Sequence, residues 1–273
     1  HMEEVDFDLV RKVKISNQLS DDALELITDL PRLAGSNAWA ISPQRSATGN
    51  ALLASDPHLE VNRLPAIWYE ACMRWDDNRY VMGATLPGCP LFAVARTERI
   101  SWGVTYMKGD TIDYFIEECR PGGETHWQYR RGKKWFDFKV REEPIQRKGK
   151  PADIVRVYHN EQGTLDTDPD EYGHGYHLSM AWTGHAEGAG HAIASWLDIA
   201  KAPTTSDAMD VVRECPQPTL CWVIADRDGH IAMQTRGKFP IRSEKHRGIG
   251  PVPAWDKKNH WKGFISTDKL PRI

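Results

Sequence analysis

The sequence lacks the features that mark membrane and nucleic-acid-binding proteins. No apolar run in its 273 residues approaches the roughly 18 to 20 residues that cross a bilayer. Charge is balanced, with 35 Lys and Arg against 38 Asp and Glu, and there is no basic block. Because nucleic-acid binding relies on dense positive charge that neutralises phosphates, we predict neither a nucleic-acid nor a membrane partner.

Cysteine is scarce and scattered. The five cysteines are odd in number and form no CxxC pair, so they define neither a zinc site nor a disulfide framework. A rival zinc site could use four histidines of a glycine-rich stretch: His174, His177, His185 and His191. No HExxH motif or cysteine pair accompanies them. We therefore expect no zinc.

The chain does contain many short strand-like runs separated by turns. Alternating apolar and polar residues predict three hairpins, from 37–42 with 51–55, 127–130 with 135–138, and 219–225 with 230–235. Helices are predicted over 20–27, 192–200 and 206–214, and Ser206 is the expected cap of the last. These patterns favour a strand-rich α+β protein.

Gly35 and Ser36 form a dipeptide whose serine hydroxyl could act as a nucleophile. A serine hydroxyl can attack the carbonyl of the preceding residue when that residue is a glycine, which has no side chain to hinder the attack. Cleavage there would leave a chain that begins at Ser36. The new α-amine, with an ordinary pKa of about 7.7 to 8.0, could then act as a base for the hydroxyl of the same residue. Taken alone, a Gly-Ser pair is more typical of a simple turn.

The surrounding motifs give the dipeptide its context. In order along the chain they are 36–41 (SNAWAI), 49–59 (GNALLASDPHL), 83–90 (GATLPGCP), 100–105 (ISWGVT), 109–113 (GDTID), 225–231 (ADRDGHI), 237–242 (GKFPIR) and 261–264 (WKGF). Together they resemble the β-subunit of the penicillin acylase family of N-terminal-nucleophile (Ntn) hydrolases. The resemblance implies the four-layer αββα sandwich, present here in part. It also implies that residues 1–35 are a tag remnant and spacer or α-subunit end, and that residues 36–273 begin the β-subunit.

The resemblance assigns roles to individual residues. Ser36 aligns with the nucleophile and Gly35-Ser36 with the self-cleavage site. His58 takes the position that orients the new α-amine, although its Asp-Pro-His turn could simply end a strand. The N–H of Tyr106 corresponds to an oxyanion-hole donor, and Asn37 is expected to be structural.

A calcium site and an acyl pocket are also implied. The calcium ligands would be Asp110, the Ile112 carbonyl, Asp113 and the Pro240 carbonyl, although a DxxD pattern alone is typical of a solvated loop. Leu59, Val94 and Val104 match pocket positions, and ordinary core packing is the alternative reading. All three are aliphatic, so a hydrophobic acyl group is expected.

The resemblance therefore predicts an acylase that hydrolyses linear amides with calcium and no organic cofactor. An acyl-homoserine lactone acylase is the first alternative, and an uncut, inactive precursor acting as a structural or calcium-binding module is the second. The expected partners are a small-molecule amide, the missing α-subunit and the remaining β-subunit. The family's second oxyanion donor would lie beyond Ile273, so we expect the 273 residues alone to be inactive. A periplasmic or extracellular location is implied.

Overall fold

A computed structural model describes residues 5–15, 35–58, 67–185, 189–244 and 246–273. The predicted helix over 20–27 and the predicted pocket residue Leu59 lie outside these residues. The expected boundary between residues 35 and 36 stays a prediction.

Strands dominate the described residues. They are β1 (Gly35–Ile41), β2 (Leu52–His58), β3 (Tyr69–Arg74), β4 (Tyr80–Thr85), β5 (Phe92–Arg96), β6 (Ile100–Tyr106), β7 (Ile112–Pro121), β8 (Trp127–Arg131), β9 (Lys134–Asp137), β10 (Lys139–Arg147), β11 (Lys150–His159), β12 (Thr164–Leu165), β13 (Gly175–Trp182), β14 (Leu220–Asp226), β15 (Ile231–Arg236) and β16 (Val252–Pro253). The α-helices are α1 (Phe7–Val10), α2 (Pro169–Tyr172), α3 (Ala189–Asp198) and α4 (Thr205–Arg213). None of these described helices has the length and apolar character needed to span a membrane.

The three predicted hairpins are confirmed, since β1–β2, β8–β9 and β14–β15 all pair antiparallel. Helices α3 and α4 overlap the predicted spans. The predicted helix cap is wrong. Helix α4 begins at Thr205, and the Thr204 hydroxyl accepts the hydrogen bond from the Asp207 N–H. Ser206 is already inside the helix and is therefore too late in the chain to act as the N-cap.

The chain divides into two compact units. The first contains residues 5–15, 110–185 and 240–264. Its sheet has the strand order β10-β11-β12-β13-β7-β8-β9, and β16 runs parallel to β7. The second contains residues 35–109 and 189–239 with the last nine of the chain, Ile265–Ile273. It holds a six-stranded antiparallel sheet, β15-β14-β6-β5-β4-β3, and the β1–β2 hairpin.

The two faces of the six-stranded sheet have different neighbours. On one face Trp102 and Trp222 are fully buried and pack in one cluster with Val212 of α4. On the other face β6 meets the hairpin, where a Cβ added to Gly103 would lie only 2.4 Å from the Ser55 Cβ. Glycine permits this close approach. The second unit therefore stacks helices, a sheet and a second strand layer, which are three layers of the expected sandwich.

A buried carboxylate, that of Glu117, accepts hydrogen bonds from several side chains of the first unit. Glu117 is paired with Arg131 through two hydrogen bonds, Nη1 to Oε2 at 2.5 Å and Nη2 to Oε1 at 2.9 Å. Asn160 and Ser179 also donate to Oε1, at 2.8 and 3.0 Å. Both oxygens therefore have donors, which offsets the cost of removing the charge from water.

His177, one of the histidines considered for zinc, is buried in this unit and engaged through both ring nitrogens. Nε2 lies 2.9 Å from the Gly173 carbonyl oxygen and must donate to it, so Nδ1 accepts from the Thr167 hydroxyl at 2.6 Å. Burial lowers the pKa of His177 from 6.5 to about 4. Between these values the unfolded chain binds a proton here that the folded chain does not bind.

Replacing His177 with Gln should flatten the pH dependence of stability. In the unsubstituted chain this residue should lower the free energy of unfolding by about 3 kcal/mol as pH falls from 6.5 to 4, because only the unfolded state gains the proton. Urea unfolding at several pH values measures the effect, and His174→Gln, at an exposed neighbour, is the control. Equal pH dependence in His177→Gln and the unsubstituted chain would contradict the assignment.

Candidate active site

The register of the β1–β2 hairpin places the predicted nucleophile and the predicted histidine at one end. Gly35 pairs with His58, and Ser36 pairs with Pro57. Because side chains alternate across a strand, Ser36 points toward β6 while His58 lies on the opposite face with Gly35. The Gly35-Ser36 peptide bond lies within β1.

Ser36 contacts two consecutive residues at the end of β6. Its Oγ lies 2.7 Å from Thr105 Oγ1, and Thr105 Oγ1 lies 3.0 Å from the Ser36 carbonyl oxygen. The Tyr106 N–H donates to Ser36 Oγ across 3.3 Å, while the Tyr106 side chain is largely exposed. The structure therefore brings the predicted main-chain donor beside the predicted nucleophile. The role of this donor at an oxyanion stays a prediction.

His58 forms a pair with Asp56 on the outer face of the hairpin. Nε2 lies 2.9 Å from Asp56 Oδ2, and Asn37 Nδ2 lies 3.4 Å from both of these atoms. The hydrogen bond to His58 lowers the pKa of Asp56 below its ordinary value. In the neutral ring, Nε2 then carries the proton and Nδ1 is an acceptor. That acceptor lies beside Gly35, because a Cβ added there would be 3.0 Å from it.

A cavity of about 240 Å³ lies beside Ser36. Ser36, Thr105 and Tyr106 line it together with mainly apolar residues: Pro57, Trp68, Leu86, Cys89, Leu91, Ala93, Val104, Trp196, Pro218 and Leu220. A nucleophilic hydroxyl in an apolar wall is suited to chemistry on a hydrophobic acyl group.

The predicted pocket residues differ in their positions. Val104 lines the cavity, whereas Val94 does not line it. Successive side chains of β5 point to opposite faces, so Ala93 reaches the cavity and Val94 lines a separate groove with Leu53 and Met82.

The two aspartates of the predicted calcium site share one arginine. Arg242 Nη2 lies 2.9 Å from Asp110 Oδ1, and Arg242 Nε lies 2.7 Å from Asp113 Oδ2. Trp261 Nε1 also donates to Asp113 Oδ2, at 2.5 Å. Two carboxylates therefore face one guanidinium at the start of β7.

The second oxygen of Asp113 fits a cation. This Oδ1 is buried, no described residue hydrogen-bonds to it, and His246 Nε2 is 3.6 Å away. Such a hard oxygen suits calcium. Among the described residues, no group of three or more His, Cys, Asp or Glu side chains could hold a metal. Calcium here would therefore depend on main-chain oxygens, such as the carbonyls predicted at Ile112 and Pro240.

Asp56 and Thr105 are site residues to which no sequence motif assigned a role. Asp56 could have been found, because residues two apart on a strand share one face and His58 was already assigned. Thr105 lies next to the assigned Tyr106, but its contact with Ser36 depends on how the hairpin packs on β6. Trp196 and Pro218 join the cavity from distant parts of the chain, where no local pattern signals them.

Comparison with known proteins identifies curated relatives. The chain is 33% identical over 95% of its length to the acyl-homoserine lactone acylase QuiP of Pseudomonas syringae pv. tomato, and covers 32% of that protein. It is 29% identical over 88% of its length to the penicillin acylase 2 proenzyme of Pseudomonas sp. (strain SE83), and covers 30% of it. The chain therefore spans less than a third of the length of these two relatives.

A solved structure and a family model extend the comparison. A thermostable penicillin G acylase from Alcaligenes faecalis superposes with a TM-score of 0.71 at 22% identity, over 86% of this chain and 41% of that chain. This match concerns the fold alone and confirms the predicted α+β Ntn-hydrolase class. The model described as Penicillin amidase matches residues 3–273. The chain belongs to the penicillin amidase family.

Proposed function

We propose that this chain supplies the nucleophile and acyl pocket of an acylase that hydrolyses linear amides with a hydrophobic acyl group. The position of Ser36 carries the proposal, because its hydroxyl lines an apolar cavity and accepts a hydrogen bond from the Tyr106 N–H. Acyl transfer needs a nucleophile, a donor for the oxyanion and a surface for the acyl group in one place. The acylase names of the relatives support the same activity.

Activation would proceed by cleavage of the Gly35-Ser36 bond. Ser36 Oγ attacks the Gly35 carbonyl carbon, the C–N bond breaks as an ester forms, and the hydroxyl proton passes to the nitrogen. Water then hydrolyses the ester and leaves two chains, the second of which begins at Ser36. Glycine suits this position because a side chain at residue 35 would crowd the His58 ring.

The freed α-amine would then serve as the base. Ser36 Oγ attacks the amide carbonyl of the substrate, and its proton passes through a water to the amine, whose ordinary pKa is about 7.7 to 8.0. The Tyr106 N–H stabilises the oxyanion, and His58 Nδ1 accepts a hydrogen bond that orients the amine. The substrate C–N bond breaks as the leaving amine takes up the proton. Water hydrolyses the remaining ester, releases the acid and restores the hydroxyl.

The cavity limits what the enzyme would bind. Its volume of about 240 Å³ is below the roughly 300 to 1,000 Å³ of sites that enclose a whole drug-sized ligand. We infer that it holds the acyl group, while the amine part of the substrate remains outside. Its lining favours an apolar group with no charge.

Homoserine lactone is a second candidate for the leaving amine. The relatives named as acyl-homoserine lactone acylases are 27 to 33% identical to the chain, and those named as penicillin acylases are 25 to 29% identical. A matched panel of substrates would distinguish the candidate leaving amines. In this panel one acyl group is joined to homoserine lactone, to an aniline and to a β-lactam amine. The ratio of kcat/KM values across the panel assigns the leaving group.

Ser36→Ala should abolish both self-cleavage and amide hydrolysis in the complete gene product, because both reactions use the same oxygen. Intact mass and release of a chromogenic aniline measure the two reactions. Ser55→Ala is the control, since Ser55 lies on the same face of the hairpin and its hydroxyl makes only a 3.5 Å hydrogen bond to the Asn37 carbonyl, while alanine keeps the Cβ that packs on Gly103. Cleavage or turnover that persists in Ser36→Ala would refute the nucleophile. An uncut, inactive unsubstituted protein would favour the precursor-module alternative.

We propose calcium as a structural ion held by Asp110, Asp113 and the carbonyls of Ile112 and Pro240. The buried Asp113 Oδ1, which has no hydrogen-bond partner among the described residues, supports this proposal, as do the two carboxylates that share the single guanidinium of Arg242. When bound, the ion would add positive charge beside the two carboxylates, which otherwise share the guanidinium of Arg242.

Calcium should raise the melting temperature of the protein, and Asp110→Asn should reduce the increase. At a concentration 100 times Kd, binding to the folded state adds about 2.7 kcal/mol, which corresponds to a shift of several degrees. Asp77→Asn is the matched control, because Asp77 is an exposed aspartate that also pairs with an arginine. The same calcium-dependent increase in Asp110→Asn and the unsubstituted protein would show that the ion binds elsewhere.

A further inference from the structure

Thr105 makes two hydrogen bonds with Ser36 that none of the assigned roles explains. One joins Thr105 Oγ1 to the Ser36 hydroxyl at 2.7 Å, and the other joins it to the Ser36 carbonyl oxygen at 3.0 Å. The contacts link the end of β6 to the start of β1, 69 residues apart in sequence.

The donors in this pair follow by elimination. The Ser36 carbonyl oxygen can only accept, so the single hydrogen of the Thr105 hydroxyl points to it. Thr105 Oγ1 must then accept the hydrogen of the Ser36 hydroxyl. Because Ser36 Oγ also accepts from the Tyr106 N–H at 3.3 Å, its hydrogen and one of its lone pairs are both committed. One lone pair remains free for attack.

We infer that Thr105 is a positioning residue for the nucleophile. This inference rests on the proposed role of Ser36. Thr105 fixes the Ser36 side chain in one rotamer by accepting a hydrogen bond from its hydroxyl. It does so before cleavage, when the Ser36 nitrogen is an amide that accepts no hydrogen bond. A threonine suits this part because its branched Cβ restricts its own rotation within a strand.

Positioning differs from lining the cavity in one measurable way. Thr105 also lines the acyl cavity, so a change there could slow amide hydrolysis simply by altering substrate binding. Self-cleavage uses the Gly35 carbonyl and needs no bound substrate. A residue that positions Ser36 must therefore affect self-cleavage and amide turnover together.

Thr105→Val should slow both reactions in the complete gene product by roughly 10- to 100-fold, because a displaced nucleophile is costly while the shape of the side chain is kept. The substrate KM should change little. Thr105→Ser, which restores the hydroxyl, should recover most of both rates. Cleavage is followed by intact mass over time, turnover by aniline release, and folding by the melting temperature.

Thr235→Val provides the matched control. Thr235 is a buried threonine on β15, and Cys221 pairs in register with both Thr235 and Thr105. Its substitution should leave both rates unchanged. If Thr105→Val does not fold, Thr105→Ala and Thr105→Ser replace it, because they differ from each other only in the hydroxyl.

Four outcomes are decisive. Parallel loss of both rates in Thr105→Val, with recovery in Thr105→Ser, supports the inference. The inference is wrong if self-cleavage in Thr105→Val is unchanged, or if turnover is slower only because KM is raised. In either case the proposed function still stands, provided that Ser36→Ala is inactive. Equal rates in Thr105→Ala and Thr105→Ser also overturn the inference. Activity in Ser36→Ala would instead remove the proposed function on which the inference rests.

Discussion

The close contact between Ser55 on β2 and Gly103 on β6 sets the spacing on which the candidate site depends. Residues two apart on a strand share a face and lie about 6.6 Å from each other, so the Thr105 side chain follows Gly103 along the same side of β6. The contact brings Thr105 within 2.7 Å of the Ser36 hydroxyl. Any side chain at residue 103 would push the hairpin outward and break hydrogen bonds that tolerate only a few tenths of an ångström.

One ion pair from each unit shows how exposure changes the contribution of charge. In the first, Glu117 and Arg131 are buried, and loss of one partner of such a pair typically costs about 3 to 5 kcal/mol. In the second, Asp56 and His58 are roughly half-exposed, and an ion pair that water screens in this way adds little to stability. The value of the Asp56–His58 pair is therefore its geometry. It fixes which ring nitrogen of His58 is the acceptor beside Gly35.

Local patterns in the sequence predicted the strands well, because alternation of apolar and polar residues is a property of neighbours in the chain. The Gly35-Ser36 dipeptide and the family motifs also led to Ser36, His58 and Tyr106, which the structure gathers at one end of the hairpin. The sequence alone could not resolve one residue of register, as at Val94, whose neighbour Ala93 lines the cavity. Nor could it indicate partners that are far apart in the chain, as for Asp113 and Arg242, which are separated by 129 residues.

The position of the Gly35-Ser36 bond inside a paired strand has a consequence for maturation. External proteases favour exposed loop tips that can be drawn into an active site, and this bond lies in a hairpin whose register is already formed. A slip of one residue between β1 and β2 would turn Ser36 to the opposite face, away from the threonine and the main-chain donor on β6. Under the proposed self-cleavage, such a chain would stay whole. Cleavage would thus occur only after the hairpin had reached its native register, so that only correctly folded molecules acquire a reactive N-terminus.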